Sequence, residues 1–293
     1  MHLTRSVRVP AAALVATIAL GGLVFSGGCG GKKKPAVTPV AEADKFLYDQ
    51  GTQYLNKKRW IRAAEYYKSL LDKYPQSRYR PDAKLGLGDA MLGQDSGGSL
   101  ILATNEFSEF LTFYPTHERA YYAQYKLGLT HYQQMLAPQR DQTQTRDAVR
   151  EFEKFVERYP DSPLIDDGRK RLQESRDRLS DADYQVGVFY YRSRWYPGAI
   201  VRLRAATRDN PKFYKRDGVY YYLAETFVKM GLTPEAVPLL DRLSTEFTSS
   251  EFLQKGSKLM ADIKAGTAGP KPQKPQKPKK AADAKSPASP PTA

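Results

Sequence analysis

The chain has almost no cysteine and almost no histidine, with one and three of them in 293 residues. A single thiol excludes an internal disulfide framework and any cysteine-rich zinc site. Three histidines, one of them at position 2, leave little for a histidine-based metal centre. Also missing are the phosphate-cradling GxxxxGK(S/T) loop, the GxSxG nucleophile elbow and the HExxH metal helix. Acid is scarce at both ends. Residues 1–34 carry Arg5, Arg8, Lys32, Lys33 and Lys34 with no acid, and residues 266–293 carry six lysines against Asp283 alone. The formal charge of +14 is therefore mostly terminal, and no helix-turn-helix, zinc finger or RNA-recognition motif supports a nucleic-acid partner. No catalytic residue, metal site or cofactor is expected.

What is present begins with an address. Residues 1–28 read as a secretory signal, with Arg5 and Arg8 ahead of an apolar run from Ala11 to Phe25. That run of about fifteen residues is short of the ~20 that a membrane-spanning helix needs. It ends in Ser26-Gly27-Gly28-Cys29, small residues before the lone cysteine, which look like a bacterial lipobox with Ser26 where leucine is usual. Small side chains suit cleavage, and the free thiol of Cys29 can take a thioether lipid. Acyl chains such as palmitate then anchor the mature N-terminus, each buried CH₂ adding about 0.8 kcal/mol. Gly30, not aspartate, follows the cysteine, which resembles the sorting pattern of outer-membrane lipoproteins. The expected location is the periplasmic face of the outer membrane. Residues 29–43 should be a flexible tether. Residues 263–293, with KPQKPQKPKK at their centre, should be a disordered or polyproline tail. That tail either solubilises or binds anionic envelope polymers or lipid headgroups weakly.

Between the ends lies an internal repeat of tetratricopeptide type. Gly51, Tyr54, Ala63, Tyr67 and Pro75 share their spacing with Gly187, Tyr190, Ala199, Leu203 and Pro211. Ala224, Phe227, Ala236 and Leu240 repeat it, with Thr248 at the proline position. Two further copies run from Gly88 through Ala103 and Phe107 to Pro115, and from Gly128 through Ala148 and Phe152 to Pro160. Both carry insertions between their helices, around Ser96-Gly97-Gly98 and around 138–145. Small residues let paired helices approach, aromatics fill the space, and proline ends the second helix because it lacks an N–H. A hairpin cannot bury its own apolar face, so several must stack. The fold class is therefore all-α, a solenoid of five hairpins. Pro160 to Gly187 is longer than the other proline-to-small spacings by about four helical turns. This predicts one long helix over Leu164–Arg192, dividing the array into three hairpins (44–162) and two (163–262).

In this register the first helices of repeats one to three present Lys45, Tyr48, Thr52, Asp89, Tyr122, Tyr125 and Tyr132 to the inner face. An aromatic groove with scattered polar groups suits an extended peptide. Alternatively, each tyrosine merely packs between repeats. Arg202, Arg204 and Arg208 on the fourth hairpin are either a solvated face or an anchor for an acidic partner. His131 falls in a packing slot, and Trp60, Trp195 and Tyr196 are expected in or near the core. Asp166 and Asp167 sit at a helix start, where carboxylates favour the dipole.

Four segments carry a family resemblance: RWIRAAEYYKSLLDKYPQSRY (59–79), YPTHERAYYAQYKLGLTHY (114–132), RDAVREFEKFVERYPDSPLIDDGRKRL (146–172) and DYQVGVFYYRSRWYPGAI (183–200). Across most of 44–250 the chain resembles the BamD (ComL) family, lipoproteins of the outer-membrane β-barrel assembly machinery. Glu118 stands where the family commonly has a second proline, and the Lys/Pro tail is not a family mark. The resemblance implies a non-enzymatic scaffold that helps fold and insert outer-membrane proteins. Its N-terminal repeats, with the His117 loop, Tyr122 and Tyr125, would receive unfolded substrate. Its C-terminal repeats would dock a BamA-like barrel protein, Arg202 matching a family arginine on that face, beside other lipoproteins of the machine. The alternative is a pilotin-like or peptidoglycan-associated repeat lipoprotein serving another envelope machine.

Overall fold

The structure, a computed structural model, describes residues 40–269. Its helices are α1 (Val40–Asn56), α2 (Trp60–Lys73), α3 (Arg80–Gln94), α4 (Gly97–Phe113), α5 (Ala120–Gln133), α6 (Thr143–Arg158), α7 (Ile165–Arg192), α8 (Tyr196–Arg208), α9 (Arg216–Lys229), α10 (Thr233–Glu246) and α11 (Leu253–Lys264), with no strand among the described residues. The signal segment, Cys29, most of the expected tether and most of the expected tail lie outside those residues. Within the tether expected over 29–43, α1 already begins at Val40, and α11 runs to Lys264, inside the tail expected from 263.

The first four hairpins interlock where the spacing placed their small residue. A Cβ on Gly88 would sit 2.7 Å from the Phe107 ring, and one on Gly128 would sit 2.9 Å from Phe152. Gly51 faces Tyr67 and Gly187 faces Leu203 in the same way. Only a glycine lets the partner ring or branch come this close. Tyr67, Phe107 and Phe152 are consequently fully buried.

The turns between hairpins share a second device. Tyr74, Tyr114 and Tyr159 each precede a proline, which excludes the helical region for them; their ψ angles are 68°, 53° and 57°. Two residues after each proline a side chain closes the turn. Ser77 Oγ accepts the Tyr79 N–H at 3.1 Å, His117 Nδ1 accepts that of Arg119 at 3.1 Å, and Ser162 Oγ accepts that of Leu164 at 3.2 Å. Ser250 repeats this with Phe252 at 3.0 Å. His117 is thus a turn-closing residue of the array, its ring set edge-on to Phe110 at 5.4 Å.

The first helices of successive hairpins touch one another, whereas the second helices do not. The stack therefore curves with α1, α3, α5, α7, α9 and α11 inside. Helix α7 runs 28 residues, close to the length expected from the spacing. Two residues after the small slot, Ala90, Thr130 and Thr226 are sealed at 0% exposure, but Phe189 on α7 is 63% exposed. The face of the fourth hairpin that would meet the third is open there. The core divides accordingly, one cluster spanning Val188–Phe252 and three smaller ones preceding it.

Two further features depart from the sequence expectation. Trp195, expected in or near the core, is 54% exposed; it lies over Gly198 and edge-on to Tyr190 at 4.4 Å, outside the α7–α8 turn. And α11 extends the array beyond repeat five. It sets Gly256 against Leu243 and leaves Ala261, thirteen residues after Thr248 in the small-slot register, exposed with no second helix over it among the described residues.

Candidate functional site

The inner face of the first three hairpins brings the expected residues together, but as a bonded lattice. Tyr48 stacks on Tyr79 at 5.1 Å between ring centroids. Thr52 Oγ1 is 3.0 Å from the Tyr67 hydroxyl. Tyr122 donates its hydroxyl to Asp89 at 2.7 Å, Tyr125 to Asp167 at 2.6 Å, and Tyr132 to Glu174 at 2.7 Å. The three tyrosine-to-acid bonds cross from one hairpin to the next, whereas that of Thr52 lies within the first hairpin.

Cations complete the lattice. Lys126 Nζ is 3.1 Å from Asp89 Oδ1, an oxygen that otherwise has no partner. Arg119 pairs with Asp82 at 2.7 Å and covers the Tyr122 ring at 5.0 Å. Arg171 covers the Tyr132 ring at 4.8 Å and reaches Glu174 at 3.4 Å. Such a lattice resists ionisation of its phenols. Burial, reinforced by the bonded Asp167 carboxylate, pushes Tyr125 up to about 12. Burial lifts Tyr67 to about 12 as well, and burial with Asp89 carries Tyr122 higher still. At neutral pH these hydroxyls remain donors, and the rings of Tyr48, Tyr122 and Tyr132 are half-buried along the groove.

Asp167 adds to its place at the helix start by accepting the Tyr125 hydroxyl, a role only the folded stack discloses. Sequence reasoning also missed Glu151, buried on α6. It takes the Gln124 amide at 3.0 Å, Arg150 at 2.8 Å and Lys154 at 3.1 Å. Burial opposes its charge, but these three partners win and hold the carboxyl below its ordinary value. His131 is packed as expected, with Nδ1 2.8 Å from Gln144 Oε1.

Arg202 and Arg204 lie apart from this groove. Arg202 is exposed and donates to Asp183 at 2.9 Å, on the wall of a cleft of about 440 Å³ between α6, α7 and α8. Arg204 covers Phe227 at 5.3 Å, and Arg208 turns to Asp209 at 2.8 Å.

A curved stack of helical hairpins with an aromatic, polar inner face defines a tetratricopeptide-type repeat protein. The chain belongs to the YfiO family of outer membrane lipoproteins, whose family model matches residues 40–238. Among curated relatives, the Outer membrane protein assembly factor BamD of Caulobacter vibrioides is 26% identical over 210 residues, covering 71% of this chain and 68% of its own. Its namesake in Vibrio cholerae is 27% identical, covering 70% and 87%, and that of Rickettsia prowazekii is 24% identical, covering 86% and 98%. A solved tetratricopeptide repeat protein from Parabacteroides merdae, 12% identical, overlaps 77% of this chain and 88% of its own with a TM-score of 0.34.

Proposed function

We propose that this chain is a non-enzymatic scaffold of outer-membrane protein assembly, tethered to the periplasmic face of the outer membrane through lipid on Cys29. The observation that carries this reading is the family match over residues 40–238, joined to relatives named as assembly factors. The inner face over Tyr48, Thr52, Asp89, Tyr122, Tyr125 and Tyr132 would receive unfolded barrel segments. Extended peptides lay alternate side chains between such rings and bond their backbone to the polar groups beside them. The hairpins beyond the start of α7 would dock a BamA-like barrel protein, Arg202 supplying an exposed cation at the rim of the α6–α8 cleft. The long helix sets the spacing between these two surfaces, the substrate half (44–162) and the partner half (163–262).

Depletion of the chain tests the reading. The expected outcome is a fall in many outer-membrane barrel proteins at once, with co-isolation of a large barrel protein from solubilised membranes. Loss of a single secretin or pilus assembly, with other barrels intact, would transfer the chain to a pilotin-like role.

A further inference from the structure

Taken as two halves that meet in the middle of α7, the inner face uses the same register positions twice with one difference. In the first half, Tyr132, four residues after the small slot of α5, gives its hydroxyl to Glu174 on the next inner helical segment. Three residues before Glu174 stands Arg171, which covers the tyrosine and reaches the acid. In the second half, Tyr191, four residues after Gly187 on α7, faces Glu225 on the next inner helix, α9. Three residues before Glu225 stands Tyr222. The acid and the tyrosine are kept, and the cation is replaced by a third aromatic ring.

The ring of Tyr222 lies 5.3 Å from that of Tyr191 and 5.3 Å from that of Tyr221. Phe252 stacks on Tyr221 at 5.2 Å. Glu225 follows Tyr221 by four residues and Tyr222 by three on α9, which sets its carboxylate on the same helix face as their rings, and burial together with this carboxylate lifts the phenols of Tyr191 and Tyr221. All four residues, Tyr191, Tyr221, Tyr222 and Glu225, are half-buried and open to the inner face. Among the described residues Glu225 has no Lys, Arg or His within ion-pair distance, whereas Asp82, Asp89, Asp167 and Glu174 each have one.

We infer that the cluster of Tyr191, Tyr221, Tyr222 and Glu225 is a binding site for a cationic side chain, an arginine, presented by a partner polypeptide. Aromatic faces attract a cation through their quadrupole, and a guanidinium can stack on a ring while bonding a carboxylate edge-on. The visiting arginine would fill the role that Arg171 plays within the chain in the first half. This deepens the reading of the C-terminal hairpins as a partner-docking half and rests on it.

The test uses the full chain in detergent, with 3-fluorotyrosine in place of tyrosine and fluorine NMR signals assigned by single Tyr→Phe variants. N-acetyl-argininamide is titrated in, and N-acetyl-citrullinamide, its neutral isostere, in parallel. The expected result is a saturable shift of the Tyr191, Tyr221 and Tyr222 signals with the arginine compound alone. Glu225→Gln should weaken it roughly tenfold or more. Tyr222→Arg, which rebuilds the arrangement of the first half, should abolish it while leaving the Tyr132 signal in place. Equal response to the citrulline compound, undiminished binding by Glu225→Gln, or shifts spread evenly over both halves would overturn the site. Depletion reads the assembly role separately. Absent arginine binding with the loss of barrel proteins intact overturns the site alone, and intact binding without that loss overturns the assembly role alone.

Discussion

The first three hairpins and the fourth solve the same packing problem with opposite allocations of volume, while the fifth, with Leu243 and Ser250, keeps the pattern of the first three. Seven residues after the alanine of each second helix, the first three hairpins place Leu70, Phe110 and Phe155, and the fourth places Ala206. The turn position that holds Ser77, His117 and Ser162 in the first half holds Phe213, fully buried in the same cluster as Ala206. Bulk has moved from helix to turn. Charge has shifted in parallel, since the inner acids of the first half are matched by its own cations and Glu225 is not. Large side chains can thus exchange places within a hairpin without altering its register. What distinguishes the halves is the chemistry they leave exposed.

The largest expected effects come from deleting that bulk. Phe155→Ala and Phe213→Ala should each cost about 3–5 kcal/mol, through lost transfer energy and the cavity left behind. Hydrogen exchange will separate them. Phe155→Ala should release α5, α6 and the first half of α7, and Phe213→Ala should release α8 and α9. Identical exchange patterns for the two variants would show that the array melts as one unit and would dissolve the comparison.

Next in size is Glu151, which the second half does not reproduce. Glu151→Ala leaves the Gln124 amide without its carboxylate and should cost about 1–3 kcal/mol by denaturant titration. The wild-type chain should carry the same dependence on pH. The folded carboxyl lies below its ordinary value of 4.5, so its contribution is complete above that value and is lost as pH falls through the folded value. The tyrosines report from the other end. Tyr67 and Tyr125 lie near 12 when folded against an ordinary 10.0, so the stability they lend is full below pH 10 and is lost as pH rises toward 12. A first half that melts between pH 5 and 9 would contradict both signs.

Much of this was legible in the sequence, and the reasons are local. Gly88 and Phe107, or Gly128 and Phe152, meet because two facing helices hold fixed offsets, and fixed offsets are visible in one dimension. The length of α7 followed from a spacing in the same way. The tyrosines of the groove were legible as inner-face residues, but their partners were not. Tyr125 finds Asp167 and Tyr132 finds Glu174 across 42 positions, between hairpins whose relative rotation no spacing encodes. Trp195 misled because its neighbours in the repeat register pack inward, whereas its own position falls on the outside of a turn. Helix α11 was missed because Thr248, without a proline's signal, left the start of a further unit unmarked. Glu225 stood out only once Arg171 was seen to occupy the matching place three residues before Glu174.

That match can be reversed. Arg171→Tyr should give the first half the arrangement of the second, leaving Glu174 beside Tyr132 and a new aromatic ring. N-acetyl-argininamide should then shift the Tyr132 signal, which it leaves unmoved in the wild type. Stability should fall by no more than about 1 kcal/mol, because Arg171 and Glu174 are both about a third exposed and the pair is screened. Continued silence at Tyr132 would mean that an acid between aromatic rings is not sufficient, and that Phe252 or the backbone of α9 sets the second site.

The smallest effect on folding should come from Arg202. Its pair with Asp183 is surface-exposed at 2.9 Å, so Arg202→Ala should change stability by less than about 1 kcal/mol. Its effect on association should be larger, because an exposed cation at a cleft rim gains most of its energy only when a partner excludes water from it. Co-isolation of the barrel protein should fall several-fold with Arg202→Ala and be partly restored by Arg202→Lys, which keeps the charge and loses the planar fork. Glu225 presents the opposite sign to the partner from the other surface of the same half, and Glu225→Gln removes it. If both substitutions weaken co-isolation and their effects add, the partner is gripped at two independent points; if either alone abolishes it, one surface carries the contact and the other is solvated.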